Sequence, residues 1–258
     1  MVELSAHAHS QPLADSRVQS AFCGWSLSLY PTAGEAGGCW VQPVRARTAG
    51  LGGGDPGRSA VEAARRARGQ IRRYCAANAL TRFGTLTYAG DGLFDQPVLR
   101  EHLAEFFRGV RSALGGRPLP YVWVPEWHKN HGLHAHFAFG RYVPRHVLVK
   151  AWGRGLVHIK LIGDLPVGSG ALAEARIAAR YLSKYAGKAF DDDRHLSGLH
   201  RYEVAQGFQP DKVTVRAVRL EDAIGEASAI MGSAPSYRWD STEADDIAGP
   251  PMVWCSWG

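Results

Sequence analysis

Glu126-Trp127-His128-Lys129-Asn130-His131-Gly132-Leu133-His134-Ala135-His136-Phe137-Ala138-Phe139 is the stretch on which the reading of the chain turns. Leu133 to Phe139 has the alternation of a strand. On a strand, residues two apart share a face, so His134 and His136 project side by side. The run before it, Leu119 to Trp127, is also strand-like, with Tyr121, Val122, Trp123 and Val124. Lys129-Asn130-His131-Gly132 is polar and ends in glycine, which suits a hairpin turn. Pairing about that turn predicts Glu126 opposite His134 or His136 on the same face. Two imidazoles and a carboxylate then converge, the donor set of a three-ligand divalent-metal site with open positions. A bare His-x-His is ambiguous, because core histidines produce the same pattern. The acid eight residues upstream, across a turn, favours the ligand reading.

A second constellation follows at Arg180-Tyr181-Leu182-Ser183-Lys184-Tyr185-Ala186-Gly187-Lys188. It lies within Ala171–Phe190, a stretch rich in Ala, Leu, Glu, Arg and Lys that predicts a helix, with Ser169 or Gly170 as its cap. Tyr181 and Tyr185 then sit one turn apart on one face. Core packing is the ordinary fate of such a pair, but Lys184 and Lys188 are unusual company for buried rings. A tyrosine with a pKa of about 10 needs help to act as a nucleophile. Nearby cations and a metal that polarises a phosphate would supply it.

The surrounding pattern predicts a strand at Arg82–Tyr88 and an amphipathic helix at Pro97–Leu114, capped by Asp95 and stopped by Gly115-Gly116. A short helix at Val143–Trp152 and a strand at Leu156–Ile162 precede the tyrosine helix, with His158 an ordinary strand residue. Strand, helix, strand, strand, helix, strand, helix is an α+β order: a central, mostly antiparallel sheet carries the histidines and is flanked by helices, the tyrosine helix among them. Strands are also expected near Phe22–Tyr30, Tyr202–Phe208 and Val213–Val218. Ser233–Gly249 reads as loose, and Met252–Trp257 as an apolar segment that docks back. The chain divides into an ill-defined N-terminal region with a glycine-rich linker (1–57), a core (58–190) and a C-terminal extension with an acidic tail (191–258).

Charge points to the partner. The formal net charge is +6, yet from Leu220 onward seven acids face one arginine. A basic body with an acidic tail favours nucleic acid over a small acidic substrate. Arg58–Leu80 predicts a helix with Val61, Ala64, Ile71, Tyr74 and Cys75 inward and six arginines against Glu62. A solvated face and a phosphate-contacting face both fit it. Arg65, Arg66, Arg72 and Arg73, with Lys129 of the hairpin turn, are the candidate DNA contacts. Gly52-x4-Gly57-Arg58-Ser59 lacks the lysine and the leading strand of a nucleotide loop, so no ATPase is expected. Four scattered cysteines, no secretory pattern and no long apolar run predict a cytoplasmic protein without a membrane partner.

Phe83-Gly84-Thr85-Leu86-Thr87-Tyr88, Glu126 with His134-Ala135-His136, and Tyr181-x-x-Lys184-Tyr185 together resemble the three ordered motifs of rolling-circle replication initiators. These are the HUH endonucleases (His, hydrophobic, His) of plasmids and small phages. The resemblance covers roughly residues 58–190, and Tyr202–Phe208 with the Pro-Pro-x-Val-Trp ending is similar to a bacterial plasmid branch. Ala135 is a small occupant of the central position. The motif order distinguishes the chain from conjugative relaxases, which place the tyrosine first. The resemblance implies a metal-dependent strand transferase acting on single-stranded origin DNA, in a hairpin or extruded by supercoiling. It implies Mg²⁺ or Mn²⁺ on Glu126, His134 and His136, with His128 the reserve ligand and His131 left in the turn. Tyr185 would attack, leaving a 5′-phosphotyrosine and a free 3′-OH for a polymerase. Tyr181 would serve termination, and Lys184 and Lys188 would contact phosphate. With no helicase motif in the chain, strand opening falls to supercoiling or to a host or element helicase. The competing readings are a transposase of the same superfamily and a DNA-binding regulator without chemistry.

Overall fold

The computed structural model describes residues 22–43, 56–128, 131–161, 170–191, 194, 200–243 and 249–258. Strands β1 (Gly24–Tyr30) and β2 (Glu35–Val41) are joined by a 3-10 turn at Pro31–Ala33. Helix α1 (Pro56–Ala77) leads to β3 (Arg82–Tyr88), α2 (Gln96–Ala113) and the hairpin β4 (Tyr121–His128) and β5 (Gly132–Phe139). Then come α3 (Arg145–Trp152), β6 (Gly155–Leu161) and α4 (Gly170–Asp191). The chain ends with β7 (Glu203–Val204), β8 (Val213–Ala217), α5 (Leu220–Met231), β9 (Tyr237–Asp240) and β10 (Met252–Ser256).

The α+β class holds, but there are two antiparallel sheets rather than one. The first has the order β6-β3-β5-β4-β7 and carries the histidines. Period-two alternation splits its side chains cleanly between two cores. Leu133, Ala135 and Phe137 of β5 face α2 and α3, together with Leu86, Phe106, Phe107 and Trp152. Val122, Val124 and Phe83 on the other face pack beneath α1 and α4, against Ile71, Tyr74, Ala178 and Leu182. His134 and His136 belong to this second face.

Local chemistry explains the elements that position the site. Helix α2 starts where Asp95 accepts a hydrogen bond from the Val98 N–H at 3.0 Å, an N-cap that satisfies one orphan donor. It stops at Gly115 and Gly116, both at positive φ, with the Gly116 N–H returning to the Arg111 carbonyl. Its buried stripe is Leu99, Leu103, Phe106, Phe107 and Val110, each contributing about 1.5–3 kcal/mol by leaving water. Gly84 in β3 leaves room for the Phe137 ring of β5: a Cβ there would lie 2.4 Å from Phe137 Cζ.

The second sheet, β8-β1-β2-β10-β9, corrects the domain division expected from sequence. Residues 24–41 and 213–256, assigned to separate ends of the chain, pair strand to strand: Leu27 with Gly38 and Val215, and Gly38 with Val253. Leu27, Leu29, Val215 and Val253 close over α5 through Ala223, Ile224 and Ala227. The other face of this sheet meets α1, where buried Glu35 takes Arg72 Nε at 2.6 Å and Arg73 at 3.4 Å. Arg176 of α4 adds hydrogen bonds to the Gly34, Trp257 and Gly258 carbonyls. These polar pins lock the added sheet to the helices that cover the site.

Further expectations are corrected. Val61 is 68% exposed rather than inward. The strand expected over Tyr202–Phe208 shrinks to two residues. The segment expected to be loose holds β9 and a 3-10 turn at Ser241–Glu243. Residues 1–21 and most of the glycine-rich linker lie outside the described residues.

Candidate active site

The hairpin register sets the site. Glu126 pairs with His134 and Val124 with His136 across β4 and β5, while Thr85 and Thr87 of β3 pair with His136 and His134 from the other side. Glu126, His134, His136 and Thr85 therefore share one face. Both alternatives left open for Glu126 are realised in part. It stands opposite His134 by register, yet its carboxylate reaches diagonally to His136 Nε2 at 2.6 Å.

His136 is buried and held from both ring nitrogens, because Thr85 Oγ1 lies 3.0 Å from Nδ1. With the carboxylate an acceptor only, the Nε2–H of the neutral ring donates to Glu126, and Nδ1 accepts from the Thr85 hydroxyl. A hydroxyl both donates and accepts, so Thr85 also supports the opposite tautomer, in which Nε2 is a free lone pair. Glu126 Oε1 accepts from Lys188 Nζ at 2.6 Å. Burial opposes ionisation of Glu126, but the hydrogen bonds from His136 and Lys188 outweigh it and bring its carboxyl down to about 2. The same bond raises the Lys188 ammonium above the ordinary lysine range.

His134 differs from its partner. Its ring stacks on His128 at 5.0 Å, with planes 7° from parallel, and meets His131 edge-on at 6.2 Å. Burial, joined by the charges of His128 and His136, pushes its pKa down and favours the neutral imidazole. Its Nε2 is buried with no hydrogen-bond partner among the described residues. His131 Nε2 lies 3.0 Å from the Tyr88 carbonyl, and the Leu133 N–H donates to the Leu93 carbonyl. Both contacts pin the tip of the hairpin. Gly132 is required there, since at φ +69° a Cβ would lie 2.2 Å from that carbonyl oxygen.

Helix α4 brings the tyrosines to this face. The Tyr185 ring stacks on His136 with centroids 3.6 Å apart and planes 19° from parallel. Phe83 lies 6.0 Å from Tyr181 and from Tyr185 and 5.6 Å from His136, a hydrophobic base that touches all three. Burial and the Glu126 charge raise the Tyr185 pKa, opposed by Lys188, whose ammonium is 5.2 Å from the ring centroid. Tyr181 is 43% exposed, at the open edge. Lys184 is exposed on α4 and is not among the groups that meet Glu126.

The remaining sequence candidates separate. Arg65 and Arg66 are exposed on α1, whereas Arg72 and Arg73 are engaged by Glu35. Lys129 lies outside the described residues. Thr85 and Phe83 are participants that sequence reading did not single out, although both stand in the β3 motif on the alternation that faces the histidines.

Among the described residues, no group of three or more His, Cys, Asp or Glu side chains is gathered as a ready cation site. The direct Glu126–His136 bond draws two of the three donors together, and His134 stays apart from it. The donor chemistry nevertheless fits a divalent ion: an ionised carboxylate, two imidazoles, and a buried nitrogen without a partner.

Residues 81–190 match the ORF2-type family of replication-associated proteins. The match spans less than half of the chain, from β3 to the end of α4, and contains the β3 motif, Glu126, both histidines and both tyrosines. The part of the chain that carries the site is thus similar to a replication-associated protein, in agreement with the resemblance read from the three motifs. No curated protein and no solved structure matches the chain.

Proposed function

We propose that the protein is a replication initiator that nicks single-stranded origin DNA by tyrosine transesterification. The observation that carries this reading is the stack of Tyr185 on His136, beside the Glu126–Lys188 pair. It sets a phenol against the donor set in a segment similar to replication-associated proteins. Glu126, His134 and His136 would hold Mg²⁺ or Mn²⁺, whose chemistry there is to draw charge from the scissile phosphate.

Tyr185 Oη attacks the phosphorus, the P–O3′ bond breaks, and the chain is left joined to the 5′-phosphate while the 3′-OH is released for extension. Thr85 holds the imidazole of His136 in the tautomer a ligand needs. Lys188 neutralises Glu126 before substrate arrives and is then free to pair with a phosphate oxygen. Tyr181, one turn earlier and more exposed, takes the second transfer that ends a round. The strand enters over β6, where Leu156 is 72% exposed and His158 and Lys160 are also exposed on the histidine face.

The sequence makes the test direct. Trypsin cuts after Arg180, Lys184 and Lys188, so the tyrosines fall in separate peptides, Tyr181–Lys184 and Tyr185–Lys188. After incubation with single-stranded fragments of the flanking replicon and Mn²⁺, mass spectrometry is expected to find nucleotide on the Tyr185 peptide. Nucleotide on Tyr181 alone would reverse the two roles, and nucleotide on neither would refute the reading.

A further inference from the structure

A second groove, about 720 Å³ in volume, runs between α1 and the face of the second sheet turned away from α5. Its two walls differ in chemistry. The helix wall presents Arg65, Arg66 and Arg68, all exposed, against a single acid, Glu62. Arg72 and Arg73 also reach it but are engaged by Glu35. The sheet wall presents aromatic rings. Trp239 and Trp254 are cross-strand partners on β9 and β10, and Tyr237, 53% exposed, lies 5.7 Å from Trp254. Arg72 lies over the Trp254 ring at 4.9 Å, so a guanidinium already occupies one aromatic face in the way a flat cation or base would. Gly37 and Gly38 of β2 keep the floor between the walls low.

We infer that this groove binds a segment of single-stranded DNA, with its phosphates along the arginines of α1 and its bases against Tyr237, Trp239 and Trp254. Each wall alone has other uses; the pairing selects the ligand. Arginines in a row attract any polyanion, but an acidic peptide leaves the aromatic row unused. Duplex DNA satisfies the arginines while keeping its base faces stacked away from the rings. A single strand offers phosphates on one side and free π-faces on the other, the combination that cationic grooves with aromatic platforms accept. The groove lies outside the segment similar to replication-associated proteins, being built from α1 and the two ends of the chain. It extends the nicking reading without depending on it, because binding here needs no cleavage.

The test uses the full chain in EDTA, with fluorescence anisotropy of a labelled fifteen-nucleotide oligo-dT. Tyr237→Ala and Trp239→Ala are each expected to raise Kd by about tenfold, the order of one lost base stack. Trp239→Phe keeps a platform and is expected to restore most of the affinity, which a merely structural role for Trp239 would not require. The double variant Arg65→Ala/Arg68→Ala is expected to lower the slope of log K against log salt by roughly 1.4, about 0.7 for each phosphate contact on a single strand. His134→Ala is expected to leave this binding in place. The inference is overturned if a duplex of equal length or a poly-glutamate peptide competes as well as the single strand. It is also overturned if the aromatic and arginine variants bind like the parent, or if His134→Ala alone abolishes binding. Because no metal is present and no bond is cut, these results stand whether or not Tyr185 forms an adduct.

Discussion

The ring of Tyr185 lies on the imidazole of His136, with centroids 3.6 Å apart. One residue comes from a helix and the other from a strand, and nothing local makes them meet. They meet because α4 packs across the face of β4 and β5 that carries the histidines. A stack of this kind is worth about 0.5–1.5 kcal/mol beyond the area it buries. It also makes the position of the phenol depend on the orientation of the imidazole, and that orientation is set by Thr85 and Glu126.

Replacing Thr85 with Val keeps the shape of β3 and removes the hydrogen bond to His136 Nδ1. Mn²⁺ affinity and nicking are expected to fall together by about 10- to 100-fold, the usual cost of losing a group that orients a ligand. Stability should change by no more than about 1.5 kcal/mol, the worth of a single hydrogen bond. Titration of Mn²⁺ by calorimetry, beside a denaturation curve, separates the two effects. Unchanged Mn²⁺ binding would remove Thr85 from the site.

Lys188 and a cation compete for Glu126, since the ammonium holds Oε1 at 2.6 Å. Lys188→Met is therefore expected to tighten Mn²⁺ binding while slowing adduct formation by about tenfold, through loss of a charge on the phosphate. Opposite movement of the two readouts is the signature. A parallel loss of both would mean that Lys188 only supports the helix.

Glu35 is buried and holds two arginines of α1 to the second sheet. Glu35→Ala leaves both guanidiniums without their acid. Removing one partner of a buried pair costs about 3–5 kcal/mol, and the solvent still reaching Arg72 and Arg73 lowers the expectation to roughly 2–3 kcal/mol. For a chain of this size that is a fall of roughly 5–10 °C in Tm, measurable by circular dichroism. A change below about 0.5 kcal/mol would show that the sheets are joined by other contacts.

The core was legible because its signals are local. The alternation of β3, β4 and β5, the cap and glycine stop of α2 and the helix-forming composition of α4 each lie within one element. Glu126, His134 and His136 could be brought together from strand period and a hairpin turn alone. The diagonal bond from Glu126 to His136 could not, because it depends on side-chain reach rather than register. The second sheet was hidden for a different reason. Strand β2 is Glu-Ala-Gly-Gly-Cys-Trp-Val, with glycines where alternation should show, and its partner β10 lies more than two hundred residues away. Helix α5 was lost in what read as an acidic tail, although Glu221 and Asp222 in its first turn are where a helix dipole favours acids. Ala223, Ile224 and Ala227, at helical spacing, were the signal that could have found it.

The most direct test of the central claim is a denaturing gel of the protein incubated with single-stranded fragments tiled across the region flanking its gene, in Mn²⁺. The site predicts a covalent protein–DNA band that disappears with EDTA, with His134→Ala and with Tyr185→Phe, and that persists with Tyr181→Phe. A band that survives Tyr185→Phe, or tight metal-independent binding with no band on any fragment, would contradict it and leave a DNA-binding regulator in its place.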